Sequence, residues 1–226
     1  MKKLLDQLAP RDALVDIARD FHARGWMPGT AGNLSVRVRD PSPLDADQSA
    51  DDAKDTFWIT VSGLPKGRLE ATDFVRMAVS DGAVVEQFDA SARPSAESAI
   101  HQVIYRHFAG AMACLHVHTV DACLACADVS LTALEMPLPA LEMIKGLGVW
   151  QQDPVVKLPL FENTLDVASI AAAINWRFKG MLPMVPALLI RGHGVTVWGN
   201  TVQAAYNHVE VVEFLMSYLA RAQARK

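Results

Sequence analysis

His116 and His118 stand one residue apart in Leu115-His-Val-His118, inside an apolar run over 111–118 that reads as a buried strand. Side chains alternate across a strand, so the two imidazoles leave on the same face, close enough to chelate one ion. His193 lies between two glycines in Arg191-Gly-His-Gly194, where missing Cβ atoms let a strand turn sharply and carry an imidazole toward a ligand. Three histidines with an open fourth position form a catalytic zinc set, and the chemistry that follows is Lewis acidity. By itself, His-x-His in a strand is more often two ordinary histidines than a metal site, and Gly-His-Gly moves the balance toward ligation. His22, His101, His107 and His208 fall in helical patterns without a spaced partner and read as surface or core residues. Cys123-Leu-Ala-Cys126 has the spacing of a redox or zinc half-site, but a zinc knuckle needs a second pair and only Cys114 remains. The odd count of three reads as reduced, structural thiols.

The elements that must position these groups follow from apolar periodicity. Leu4, Leu8, Leu14, Ile17, Ala18 and Phe21 recur at helical spacing, predicting an amphipathic helix over 4–23 that ends near Gly25. After the turn-rich 27–33, Leu34, Val36 and Val38 alternate with Ser35, Arg37 and Arg39, the pattern of a half-buried strand. A second strand at 56–61 runs into the loop 62–67, and Asp81-Gly82 divides a hairpin of 74–79 and 83–88. A helix over 95–107 follows, with Ser95 as its cap and Glu97 in its first turn. Then come a short helix at 120–127, a strand at 155–160, a helix over 166–178 and a strand pair hinged at 192–194. Asn200 is placed to cap a long helix to about Arg221, with Gln203 in the capping-box position. Hairpins dominate, so the expected sheet is mixed, largely antiparallel and covered by helices.

At 226 residues the chain fits one domain, 1–226, in which 40–55, rich in Asp, Pro, Ser and Ala, is expected as an exposed loop or hairpin extension. A net charge of -4 without a Lys/Arg-rich face excludes nucleic acid as a partner and limits any bound phosphate to a small, locally held one. Apolar runs such as 186–190 stay far short of the roughly 18 residues of a membrane span, so no membrane partner is expected. Residues 1–8 begin like a signal peptide, but Asp6, Arg11 and Asp12 interrupt it, which points to a cytoplasmic protein.

Five motifs in order, Thr30-Ala-Gly-Asn-Leu-Ser35, Thr60-Val-Ser-Gly63 with Lys66-Gly67, Arg93-Pro-Ser-Ala-Glu97, Leu115-His-Val-His118 and Arg191-Gly-His-Gly194, resemble the class II aldolase and epimerase superfamily across nearly the whole chain. Leu141-Glu142-Met-Ile-Lys-Gly146, Glu162-Asn-Thr164 and Gly194-Val-Thr-Val-Trp-Gly199 resemble its dehydratase branch, which acts on a methylthio sugar phosphate. The resemblance implies a three-layer α/β/α sandwich with a mainly antiparallel central sheet, and a homotetramer with active sites near subunit boundaries. It implies one zinc ion per subunit on His116, His118 and His193, and a small phosphorylated keto-sugar as substrate.

The substrate phosphate would be cradled at Gly32, Asn33, Ser62, Gly63 and Ser95, where glycine-rich turns and a helix start present free N–H groups. Many aldolases have two successive serines before the glutamate where this chain has Ser95-Ala96, so one hydroxyl contact is missing or supplied elsewhere. Lys66 would compensate with charge, or stand as an exposed turn lysine. In the dehydratases the glutamate matching Glu142 is the acid/base, and in the aldolases the one matching Glu97. The expected reaction is loss of water with Glu142 moving the proton. Aldol cleavage or 4-epimerisation with Glu97 as base is the alternative, and a non-catalytic interaction module is another, against which the retained histidines argue. Without the resemblance, Glu142 reads as a loop acid paired with Lys145, and Glu97 as a partner of its helix dipole.

Overall fold

The computed structural model describes residues 5–39 and 55–225. The predicted extension at 40–55 lies outside the described residues except for Asp55, which opens a strand. The elements are α1 (Pro10–Ala23), β1 (Asn33–Arg39), β2 (Asp55–Thr60), β3 (Phe74–Ala78), β4 (Val84–Gln87), α2 (Ser98–His107), β5 (Ala113–Val117), α3 (Val120–Ala125), β6 (Glu135–Pro137), β7 (Lys157–Phe161), α4 (Val167–Gly180), β8 (Ala187–Ile190), β9 (Gly194–Gly199) and α5 (Val202–Gln223). The strands form one nine-stranded sheet in the order β4-β3-β2-β1-β5-β9-β8-β7-β6. Every pairing is antiparallel except β7 with β8, so the sheet is mixed and mainly antiparallel, as the periodicities predict.

Two apolar clusters divide the core along the faces of this sheet. On one face Leu34, Leu115, Val117, Val195 and Val197 meet Leu14 and Ile17 of α1, Ala122 of α3 and Val209 and Leu215 of α5. On the other, Phe57, Ile59, Cys114, Leu188 and Ile190 meet Ile100 and Ile104 of α2 and Ile170 and Ile174 of α4. Helices therefore cover both faces, giving the three-layer α/β/α sandwich.

Several local expectations change. The first helix is divided: a single 3-10 turn spans Leu5–Gln7, and α1 begins at Pro10, whose fixed φ and missing N–H suit a first helical position. β1 is not half-buried, because its polar alternates Asn33, Ser35 and Arg37 lie under α2 and are as enclosed as Leu34 and Val36. They remain there because each is hydrogen-bonded; Arg37 pairs with Asp55 and the Phe108 carbonyl. α2 starts at Ser98, with Glu97 in the capping position, so Ser95 does not cap the helix. The long helix is capped by Thr201, whose Oγ1 accepts from the Ala204 N–H at 3.0 Å, and not by Asn200. Gln203 closes no capping box; its N–H and that of Val202 donate to Asp6 instead. The short β6, which pairs with β7, carries no strand signal strong enough to be anticipated.

Gly194 opens β9 where it crosses the end of β5, and a Cβ there would fall 2.0 Å from the Val117 carbonyl oxygen. Backbone cannot yield as a flexible side chain does, so Gly194→Ala is expected to destabilise the protein by roughly 1–3 kcal/mol or more, read as a lower urea midpoint. An unchanged midpoint would show that the close approach is not a constraint.

Candidate metal centre

β5 and β9 lie side by side in the middle of the sheet, and the three predicted histidines meet where they end. His116 pairs with Thr196 in the ladder and projects to the same face as Cys114, toward α2. His118 follows directly, its N–H held by the Trp26 carbonyl at 2.9 Å. His193 arrives from the β8–β9 turn, which Gly192 closes at φ +55°. Ring centroids are 4.7 Å apart for His116 and His118, 5.1 Å for His116 and His193, and 4.4 Å for His118 and His193.

Glu97 reaches into this group from the start of α2. Its Oε1 lies 2.7 Å from His193 Nε2, and its Oε2 lies 3.4 Å from His116 Nε2 and 3.9 Å from His118 Nε2. One ligating atom from each of these four residues falls within 4.8 Å of the others. Burial would raise the Glu97 pKa, but His116, His118 and His193 outweigh it and hold the carboxyl well below its usual range. Burial pushes His116 down to about 3, with partial opposition from Glu97, so its ring is neutral. The Nε2 atoms of His116 and His118 are buried without a hydrogen-bond partner, a deficit an ordinary core does not tolerate. Neutral imidazoles with a carboxylate are the donor set of a borderline divalent metal, and the four residues fit one.

Ligation through Nε2 needs the ring hydrogen on Nδ1, and partners for it are in place. His116 Nδ1 lies 2.9 Å from Thr196 Oγ1, and His193 Nδ1 lies 3.2 Å from Asn163 Oδ1. Asn163 is itself held by its neighbour, since Arg191 donates to Glu162 at 2.7 Å and to the carbonyls of Val129, Ser130 and Ala133. Thr196 and Asn163 are absent from the sequence-derived set; both stood in segments that carried the resemblance, Gly194–Gly199 and Glu162-Asn-Thr164, but only the register with His116 singles out Thr196.

The residues assigned to phosphate border this centre. The loops at 62–63 and 93–97 run together, Ser62 N–H donating to Arg93 O at 2.9 Å and Ser95 N–H to Thr60 O at 3.1 Å. Gly32 and Gly63 adopt positive φ, and a Cβ on Gly32 would lie 2.9 Å from the His116 carbonyl. The Asn33 side chain is turned inward, Nδ2 donating to Glu97. Lys66 is not an exposed turn lysine: it is 2 % exposed, and its Nζ donates to the carbonyls of Thr30 at 2.9 Å and Leu64 at 3.0 Å. It ties the 27–33 turn to the 62–67 loop, with burial lowering its pKa against the pull of Glu97. Glu142 stands apart from the histidine group, 82 % exposed and paired with Lys145 Nζ at 2.7 Å. Cys123 and Cys126 are free and take no part in the group, and no helix among the described residues is long and apolar enough to cross a membrane.

This fold is that of the class II aldolases, and the chain belongs to the class II aldolase and adducin N-terminal domain family, whose model matches residues 12–219. It is 48 % identical over 215 residues to a methylthioribulose-1-phosphate dehydratase of Microcystis aeruginosa, covering 94 % of this chain and 96 % of that one. It is 40 % identical over 220 residues to a methylthioribulose-1-phosphate dehydratase of Leptospira biflexa, covering 96 % and 99 %. Among solved structures, L-fuculose-1-phosphate aldolase of Thermus thermophilus superposes with a TM-score of 0.65 at 24 % identity, covering 95 % of each chain, a likeness of fold.

Two outcomes follow from these contacts. Asn163→Ala and Thr196→Val each lower the affinity for a divalent metal roughly 10- to 100-fold in competition with a chromogenic chelator; wild-type affinity in both would show that these residues do not orient the imidazoles. The second concerns acid. Burial, partly opposed by Glu97, lowers the pKa of folded His101 from its ordinary 6.5 to about 4, so on acidification the unfolded chain takes up a proton first. Stability from this residue is complete above pH 6.5 and is lost as pH falls toward 4. The urea midpoint of metal-free protein should decline across that window, and less steeply in His101→Gln; equal slopes would remove His101 as a source.

Proposed function

We propose that this chain is a zinc-dependent dehydratase that converts 5-methylthioribulose 1-phosphate to 2,3-diketo-5-methylthiopentyl 1-phosphate and water, a step of methionine salvage in the cytoplasm. Near end-to-end likeness to proteins named methylthioribulose-1-phosphate dehydratase, with the three histidines converging on Glu97, carries this reading. His116, His118 and His193 would hold the zinc, which would supply Lewis acidity toward the C2 carbonyl and make the adjacent C3 proton easier to remove. The Ser62 and Ser95 hydroxyls and the backbone at Gly32 and Gly63 bind the phosphate, while Lys66 ties the neighbouring loops together.

The proton is carried by a carboxylate. Glu142 takes it from C3 and returns one to the C4 hydroxyl as that group departs as water, and the enol left behind tautomerises to the diketone. Because Glu142 lies on the surface of its own chain, it serves the site of a neighbouring copy in a homotetramer. One observation favours a second reading: Glu97 already faces the histidines, the place from which it would act as base in an aldolase or 4-epimerase.

Incubation of zinc-loaded protein with the methylthio sugar phosphate should produce diketone absorbance, and its absence with zinc bound sinks the dehydratase reading. Glu142→Gln and His193→Ala should each be inactive alone and regain activity when mixed as subunits of one oligomer. Loss of activity in Glu97→Gln with full activity in Glu142→Gln would assign the proton transfer to Glu97.

A further inference from the structure

Behind Glu97 lies a chain of buried polar groups that can donate in one direction only. Asn33 Nδ2 donates to Glu97 Oε2, because the opposite amide orientation would set its oxygen against a carboxylate. Asn33 Oδ1 therefore faces His101 Nε2, at 2.5 Å. A carboxamide oxygen only accepts, so His101 Nε2 carries the hydrogen. His101 is fully buried and neutral, so its Nδ1 is bare and accepts from the Ser35 hydroxyl at 2.6 Å. Ser35 gives its one hydrogen to His101 at 2.6 Å in preference to the Cys114 carbonyl at 3.3 Å, and accepts from the Tyr105 hydroxyl at 2.7 Å. Ser35 and Tyr105 are as enclosed as His101, so no solvent competes for these bonds.

We propose that His101 is a positioning residue: its Nε2–H holds Asn33 with the amide NH2 on Glu97, and thereby keeps the Glu97 carboxylate turned toward His116, His118 and His193. A free Asn33 could rotate and present its oxygen, which would push the carboxylate away. The inference rests on reading the histidine–Glu97 group as the metal and substrate site.

Two substitutions separate the halves of the imidazole. His101→Gln sets an amide nitrogen near Nε2 and keeps the donor to Asn33, whereas His101→Asn sets an oxygen near Nδ1, keeping the acceptor for Ser35 and removing that donor. Zinc affinity is measured on metal-free full-length protein by chelator competition, and kcat and KM with the methylthio sugar phosphate. His101→Asn is expected to lower both kcat and zinc affinity roughly 10- to 100-fold with KM little changed, while His101→Gln stays close to wild type. Nitrogen–proton correlation NMR of isotope-labelled wild-type protein should place the His101 hydrogen on Nε2. Equal losses in the two variants, no loss in either, or a hydrogen on Nδ1 would overturn the proposal. If wild-type protein makes no diketone, the proposed function falls, and zinc competition with the tautomer measurement still decides the role of His101.

Discussion

Glu97 and three imidazoles share one buried point, and much of the surrounding structure answers to that concentration of polar atoms. A carboxylate taken out of water is stable only when opposite charge or donors replace its hydration. Here His193 and Asn33 contact it, while the Nε2 atoms of His116 and His118 are left without hydrogen-bond partners. A divalent cation would resolve both sides of that imbalance, accepting the imidazole lone pairs and giving the carboxylate a counter-charge.

The sandwich supplies the rigidity this arrangement needs. Two of the histidines come from β5 and its end, near the centre of a nine-stranded sheet with helices on both faces. The third comes from the β8–β9 turn, locked against β5 by the contact at Gly194 that admits no Cβ. α2 begins where β1 needs its polar face covered, so one helix start delivers Glu97 while its first full turn delivers His101. Arg191 anchors the loops that carry Asn163 to His193, and Lys66 does the same for the loops beside Ser62 and Thr30. Both cations are buried and hydrogen-bonded to carbonyls, so they act as struts between turns.

Two carboxylates stand in opposite surroundings. Glu97 is enclosed, charged and oriented by neighbours from three elements, which suits a group that must stay in place. Glu142 is solvent-exposed beside Lys145, outside the histidine group. The candidate metal centre and the proposed proton carrier thus lie on different parts of the chain. The metal cluster lies inside one fold, and the proposed proton carrier lies on its surface.

The mainly antiparallel, helix-covered sheet was legible in the sequence from local periodicity, whereas the three-layer arrangement and the choice of His116, His118 and His193 as the candidate metal set came with the family resemblance. Alternation puts His116 and His118 on one face whatever surrounds them, and glycines flanking His193 permit a turn in any context. The burial of Lys66 and of β1's polar face and the part Asp6 plays at the start of α5 were not legible, because each depends on a distant partner: Thr30, α2 and the N-terminal segment. His101 was read as an unpartnered helical histidine, because its partners Asn33 and Ser35 lie 68 and 66 residues away. The sequence by itself determined which side chains could ligate a metal and how neighbouring ones point, since these follow from covalent geometry. Only the tertiary structure decided that Glu97 stands among the histidines and Glu142 does not, since strand register and helix docking set the distances between residues far apart in the chain.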